Sequence, residues 1–172
     1  MGLDITAYSN LQHIGRHTMT GIWCDDENHI EAFAYSAFPQ SFRGIQVLGE
    51  HTTGGSTFLV GGCYTTTDAT ETHGFNAGPY VGYGHWRAGL QDQFNPDLDP
   101  DGPFYELCWF ADNEGTIGPD AARNLLADFE EHAARYAPPL KLHNDSRWCR
   151  DRYTDWTTAC RLAANAGLID FH

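Results

Sequence analysis

The chain has 172 residues and a formal net charge of −13, from 23 acidic and 10 basic residues. This length fits one domain with a sizeable core, and a hydrophobic content of 41% argues against wholesale disorder. The excess of acid disfavours nucleic-acid binding through phosphates and binding to anionic membranes. The whole imbalance lies in residues 1–120, which hold 16 acidic and 3 basic residues; residues 121–172 hold 7 of each.

The N-terminus is predicted to be a strand rather than a targeting signal. It lacks a basic stretch followed by an apolar core, and no apolar run in the chain approaches the ~20 residues that span a bilayer. Gly2 and Thr6 match the myristoylation pattern. However, Leu3, Ile5 and Ala7 alternate with polar residues, which predicts a strand with one buried face. We therefore interpret the myristoylation match as coincidence.

The five cysteines are odd in number and include no CxxC pair, which argues against a disulfide framework or a zinc knuckle. Cys108 lies in a strand-like pattern, and Cys149 and Cys160 lie in a helix-like pattern. Each is predicted to be a small buried hydrophobic residue rather than a nucleophile. A reducing cytoplasm fits this cysteine usage best.

Several strands are predicted after the first one. The candidates are residues 29–35, 45–48, 57–64 and 104–110. The last of these, FYELCWF, is nearly continuous in apolar residues, which predicts a central strand buried on both faces.

Helices are predicted mainly in the last third of the chain. A short helix covers Tyr83 to Phe94. A longer one begins at Pro119 and has apolar residues at spacings of three and four, until Pro138 and Pro139 stop it.

The final helix begins near Asp145 or Ser146, either of which can cap it. Gly167 is predicted to be the left-handed residue that ends this helix. Strands first and helices last indicate an α+β fold. We predict one domain over residues 1–172, with a mainly antiparallel sheet and two C-terminal helices packed on it.

The first segment that could carry chemistry is the turn over residues 111–119, between the predicted central strand and a helix. Free backbone N–H groups and the helix dipole suit such a place to an anion. Asp112 and Glu114 could instead take up a cation or do acid–base work, and Thr116 lies beside them. In the alternative interpretation, the acidic side chains tie down the turn and the glycines supply unusual backbone angles.

The second segment is rich in glycine and aromatic residues, between residues 78 and 87. Its candidate ligand-binding residues are Tyr80, Tyr83, His85, Trp86 and Arg87. Exposed aromatic faces beside an arginine can stack a base or sugar, hold a planar anion, or anchor a protein partner. In the alternative interpretation, these aromatics fill the core beneath a glycine-rich turn.

The third segment is the C-terminus, residues 168–172, whose alternation predicts a docked short strand. Asp170 and His172 would then share a face, and His172 could serve a metal or acid–base role, although a terminal histidine is more often only solvated or packed. The chain has no HxxxH or HExxH pair on a helix, and no GxSxG, Walker or GxGxxG motif. The sequence therefore predicts no metal site, and the catalytic residues and cofactors stay unknown.

Five pieces of sequence together point to a family. They are MGLDITAY at 1–8, GYGHWR at 82–87, EGTIGP at 114–119, LADF at 126–129 and AGLIDFH at 166–172. In this combination the chain resembles a family of small uncharacterised proteins encoded by bacteriophages, prophages and bacterial genomes, with residues 20–75 the most divergent. The resemblance implies an accessory product in the host cytoplasm, with counter-defence as one role. It implies no established activity, ligand or catalytic residue.

Three functions follow from these observations. The leading hypothesis is a non-enzymatic protein that binds a host protein or a small metabolite, because a negative surface suits a basic partner. The alternative is a small metal- or acid/base-dependent enzyme that uses Asp112 and Glu114, with His172 or His85. The third is a virion or assembly component. The sequence leaves the oligomeric state open.

Overall fold

The computed structural model describes residues 2–18, 21–22, 30–31, 41–42, 45–48, 52–53, 62–110, 115–138 and 146–172. Its main sheet is antiparallel, and its strands are numbered along the chain. The spatial order is β10 (Gly115–Ile117), β11 (Leu168–Phe171), β1 (Leu3–Tyr8) and β9 (Thr72–Gly78). The last strand of the chain therefore lies next to the first, and the prediction of a docked C-terminal strand is confirmed.

The remaining strands form two further sets. One has the order β3 (Gly21–Ile22), β2 (Gln12–Thr18), β8 (Gly62–Thr65) and β4 (Ile30–Glu31), and the other has the order β5 (Ser41–Phe42), β6 (Ile45–Leu48) and β7 (Thr52–Thr53). Strand β6 confirms the prediction for residues 45–48. The strands predicted over residues 29–35 and 57–64 lie mainly outside the described residues. The described parts of these two ranges are β4 and the first three residues of β8.

Four helices are described: α1 (Tyr80–Phe94), α2 (Tyr105–Trp109), α3 (Pro119–His132) and α4 (Ser146–Ala163). Helix α4 packs on β1, β9 and β11 and so covers one face of the main sheet. In the core, Trp156 of α4 stacks on Tyr83 and also contacts Phe75 and Phe171. The predicted α+β fold with C-terminal helices on an antiparallel sheet is confirmed, as are the helix starts at Pro119 and Ser146.

Helix α2 corrects the prediction of a central strand over residues 104–110. A nearly continuous apolar run indicates burial but does not distinguish a buried strand from a buried helix. Contacts from α3 decide for the helix. The Phe104 backbone N–H donates to Asp128 Oδ2 at 2.7 Å, and Asn124 donates to the buried carboxylate of Glu106 at 2.9 Å.

The turn after α4 brings the backbone close to β1. The prediction that Gly167 is the left-handed residue is wrong, because that conformation belongs to Ala166, with φ 47°. A Cβ added to Gly167 would instead overlap the carbonyl oxygen of Tyr8. Glycine is therefore required at 167 by the close approach of two backbones, and its N–H donates to the Ala163 carbonyl at 3.0 Å.

We expect Gly167→Ala to lower the free energy of unfolding by about 1–3 kcal/mol, because the added methyl group must displace the backbone of β1. The matched control is Gly84→Ala in α1, where an added Cβ has no atom within 4 Å. This change should raise the free energy of unfolding by about 0.5–1 kcal/mol. Urea unfolding followed by circular dichroism measures both, and a Gly167→Ala protein as stable as wild type would contradict the close approach.

Candidate functional site

The glycine-rich aromatic segment is divided between core and surface. Tyr83 and Trp86 are fully buried, and Trp86 Nε1 donates to the Tyr136 hydroxyl at 2.9 Å. Neither of these two side chains is accessible to a ligand. Tyr80 and His85 are exposed on α1. The segment therefore does not present its aromatic rings as one surface, and the core interpretation describes Tyr83 and Trp86.

Arg87 holds the end of helix α2. Its Nη1 donates to the carbonyls of Leu107, at 3.2 Å, and Phe110. Its guanidinium also lies 4.8 Å from the centroid of the Tyr83 ring. Carbonyls at a helix C-terminus lack partners within the helix, and a cation suits that end of the dipole. Arg87 thus has a structural role that its place in the sequence did not indicate.

Asp112 and Glu114 lie outside the described residues, so the predicted acid–base or metal role of this turn has no structural description. The segment 111–119 does not join a strand directly to a helix, because helix α2 precedes it and strand β10 lies within it, before α3 begins at Pro119. The third candidate from this segment, Thr116, lies in β10 and is buried.

Two of the sequence candidates, Thr116 and His172, lie on the same face of the main sheet. Thr116 pairs with Asp170 in β11, and Asp170 pairs with Thr6 in β1. Because side chains alternate along a strand, these residues lie on the sheet face opposite α4, whereas Ile169 contributes to the core. We use the name polar sheet face for the polar side chains on this side, which are Asp4, Thr6, Tyr8, Asn76, the buried Thr116, Asp170 and His172; Leu168, on the same side, is buried against Tyr8 and Tyr64.

His172 connects a carboxylate to a hydroxyl on this face. Its Nδ1 lies 3.6 Å from Asp170 Oδ2, and its Nε2 lies 3.2 Å from Thr6 Oγ1. The His172 backbone N–H donates to the Asp4 carbonyl at 2.8 Å, which fixes the end of β11 beside β1. The prediction that Asp170 and His172 share a face is confirmed. The sequence did not indicate Thr6, which comes from the opposite end of the chain.

Tyr8 and Asp4 complete the polar sheet face. The pKa of Tyr8 is raised, mainly by burial and secondly by the negative charge of Asp170, while a hydrogen bond with Thr6 opposes the rise. The Tyr8 hydroxyl is therefore a neutral group close to both residues. Asp4 accepts a hydrogen bond from Asn76 Nδ2 at 2.7 Å. The seven residues include two carboxylates and no lysine or arginine.

The described residues contain no group of three or more His, Cys, Asp or Glu side chains that could hold a metal ion. Within the same part of the chain, no helix is long and apolar enough to cross a membrane. The chemistry that the polar sheet face itself offers is hydrogen bonding, charge and proton transfer.

The cysteines are divided between free thiols and a disulfide. Cys108, Cys149 and Cys160 are free, and the last two are fully buried, as predicted. Burial raises the pKa of Cys108 to about 12 and that of Cys160 well above its usual value. Cys63 is disulfide-bonded. The cysteine count and spacing did not predict this bond, because cysteines that meet in space need not be close in sequence.

Comparison of the chain with protein-family models, with curated proteins and with solved structures finds no match. The resemblance to a phage and prophage family therefore stays a prediction from sequence motifs, and the functional argument depends on the geometry of the site.

We expect Arg87→Met to lower the free energy of unfolding by about 1.5–3 kcal/mol, because two carbonyls lose charge-assisted hydrogen bonds. His85→Gln, two residues earlier on the exposed side of α1, is the control and should change stability by less than about 0.5 kcal/mol. Urea unfolding measures both. An Arg87→Met protein with wild-type stability would show that α2 does not need this contact.

We also expect Cys108 and Cys160 to resist alkylation in the folded protein at pH 8. Iodoacetamide reacts with the thiolate, and a raised pKa keeps both groups in the thiol form at that pH. Mass spectrometry of peptides, after treatment with iodoacetamide with and without urea, should find both residues modified only in urea. Modification of either residue in the native protein at the rate seen in urea would contradict its burial.

Proposed function

We propose that this protein binds a basic partner protein through the polar sheet face. The observation that carries the proposal is the pairing of β1 with β11, which brings together two carboxylates, Asp4 and Asp170, and, among the seven described residues of that face, no basic residue other than His172. Asp4 is exposed and the Asp170 side chain is 22% exposed. Both charges can therefore interact with a ligand in solution.

The distribution of charge over the chain supports the same partner. Residues 1–120 carry all of the net charge of −13, and β1 and β9 of the main sheet belong to that part. A surface with one sign of charge accelerates encounter with an oppositely charged partner and disfavours like-charged ligands. Lysine and arginine side chains would pair with the carboxylates, and the hydroxyl of Thr6 would accept further hydrogen bonds.

The biological setting of this proposal comes from the sequence motifs alone. They suggest a phage or prophage accessory protein whose partner is a basic host protein, including one that normally binds nucleic acid. A small metabolite is the second kind of ligand that the sequence suggests. A disulfide at Cys63 counts against a reducing host cytoplasm.

We expect a fluorescein-labelled peptide rich in lysine and arginine to bind the protein at low salt and to dissociate as salt is raised. The double change Asp4→Asn with Asp170→Asn should weaken binding by about five- to thirtyfold, since each of the two exposed ion pairs contributes up to about 1 kcal/mol. Fluorescence anisotropy measures the dissociation constant.

The control is Asp92→Asn with Asp97→Asn, which removes the same charge at exposed positions on α1 and just after it. This pair should leave the dissociation constant nearly unchanged. If both double variants weaken binding equally, the peptide recognises net charge and the polar sheet face is not the binding surface.

A further inference from the structure

We propose that Thr6, His172 and Asp170 form an acid–base site at which the Thr6 hydroxyl accepts an acyl group from an activated ester and then passes it to water. The proposal goes beyond binding and depends on the order of three groups: carboxylate, imidazole, hydroxyl. Thr6 and Asp170 lie on paired strands and His172 directly follows β11. The distance is 3.6 Å between Asp170 Oδ2 and His172 Nδ1 and 3.2 Å between His172 Nε2 and Thr6 Oγ1.

The position of Asp170 fixes which nitrogen of His172 carries the proton. A carboxylate near Nδ1 favours the tautomer with hydrogen on that nitrogen. The lone pair of Nε2 then points to the Thr6 hydroxyl, which donates its hydrogen bond to the imidazole. Asp170 is thus a positioning residue, and His172 is the base that can remove the Thr6 proton.

The site is open to an ester. The His172 side chain is 48% exposed, so a small ester can reach Nε2 and Oγ1 from solvent.

The steps balance without a cofactor. Thr6 Oγ attacks the carbonyl carbon while His172 Nε2 takes the hydroxyl proton. The C–O bond to the leaving group then breaks; an alkoxide leaves with the imidazolium proton, whereas a phenolate leaves as the anion and His172 releases that proton to solvent. Water next attacks the acyl-threonine ester, again with His172 as the base. The products are a carboxylic acid and the restored Thr6 hydroxyl.

The test uses the full chain with p-nitrophenyl acetate. Release of p-nitrophenolate is followed by absorbance, and mass spectrometry with fragmentation locates acetyl groups, separating Thr6 from Tyr8 and Ser9 on the same peptide. We expect acetyl-Thr6 in the wild type, none at residue 6 in Thr6→Val, and retained acetylation in Thr6→Ser.

His172→Gln keeps a hydrogen-bonding group but cannot take up a proton, and it should slow acetylation at residue 6 by roughly a hundredfold. Asp170→Asn should also slow acetylation, and Asp170→Glu should partly restore the rate. An equal free energy of unfolding for all variants separates this effect from a structural one. His85→Gln is the matched control and should leave the rate unchanged, since His85 lies on α1.

Two results would overturn the proposal: no acetyl group on Thr6 in acid-quenched wild type together with release of p-nitrophenolate no faster than from Thr6→Val, or equal rates of acetylation at Thr6 in the wild type and His172→Gln. The outcome is independent of partner binding, since the ester assay contains no basic peptide.

Discussion

The pairing of β11 with β1 is the constraint on which the rest of the main sheet depends. Strand β11 also pairs with β10, so the last strand of the chain joins the first strand to a segment from the middle. The sheet is complete only when the two ends of the chain have met. Closing so long a loop costs entropy, although the cost grows slowly with length, and a contact this distant in sequence is typical of slow-folding topologies.

The register of the β1–β11 pairing is fixed by contacts between residues that lie just beyond the two strands. The backbone N–H groups of Asn10 and Leu11 donate to the carbonyls of Asn165 and Ala166, and Gly167 allows the close approach to β1. A slip of one residue would exchange the two faces of a strand. It would place the Asp170 carboxylate in the core and the Ile169 side chain on the polar sheet face. The same contacts therefore stabilise the core and create the polar sheet face.

Sequence patterns predicted those parts of the fold that depend on local periodicity. The alternation in β1 and β11 indicated a buried face in each strand, and the helix starts at Pro119 and Ser146 followed from local helix-start signals. Strand β9 was missed, because its sequence, THGFNAG, is rich in glycine and polar residues. Residues 104–110 were assigned to a strand because their helix depends on contacts from α3, which no local pattern contains.

The candidate site, too, could be predicted from local sequence patterns only in part. Asp170 and His172 could be placed on one face from their spacing, but their partner Thr6 lies at the other end of the chain, and only the pairing of β1 with β11 brings it to them. In the aromatic segment, the residue types suggested a ligand-binding surface, but two of these residues, Tyr83 and Trp86, fill the core. Thr6 and Asp170 lie on adjacent paired strands, which are held more rigidly than loops, and the backbone bond from His172 to Asp4 ties His172 to the same sheet. The spacing of Asp170, His172 and Thr6 is thus a consequence of sheet register, and register is what links the fold to its chemistry.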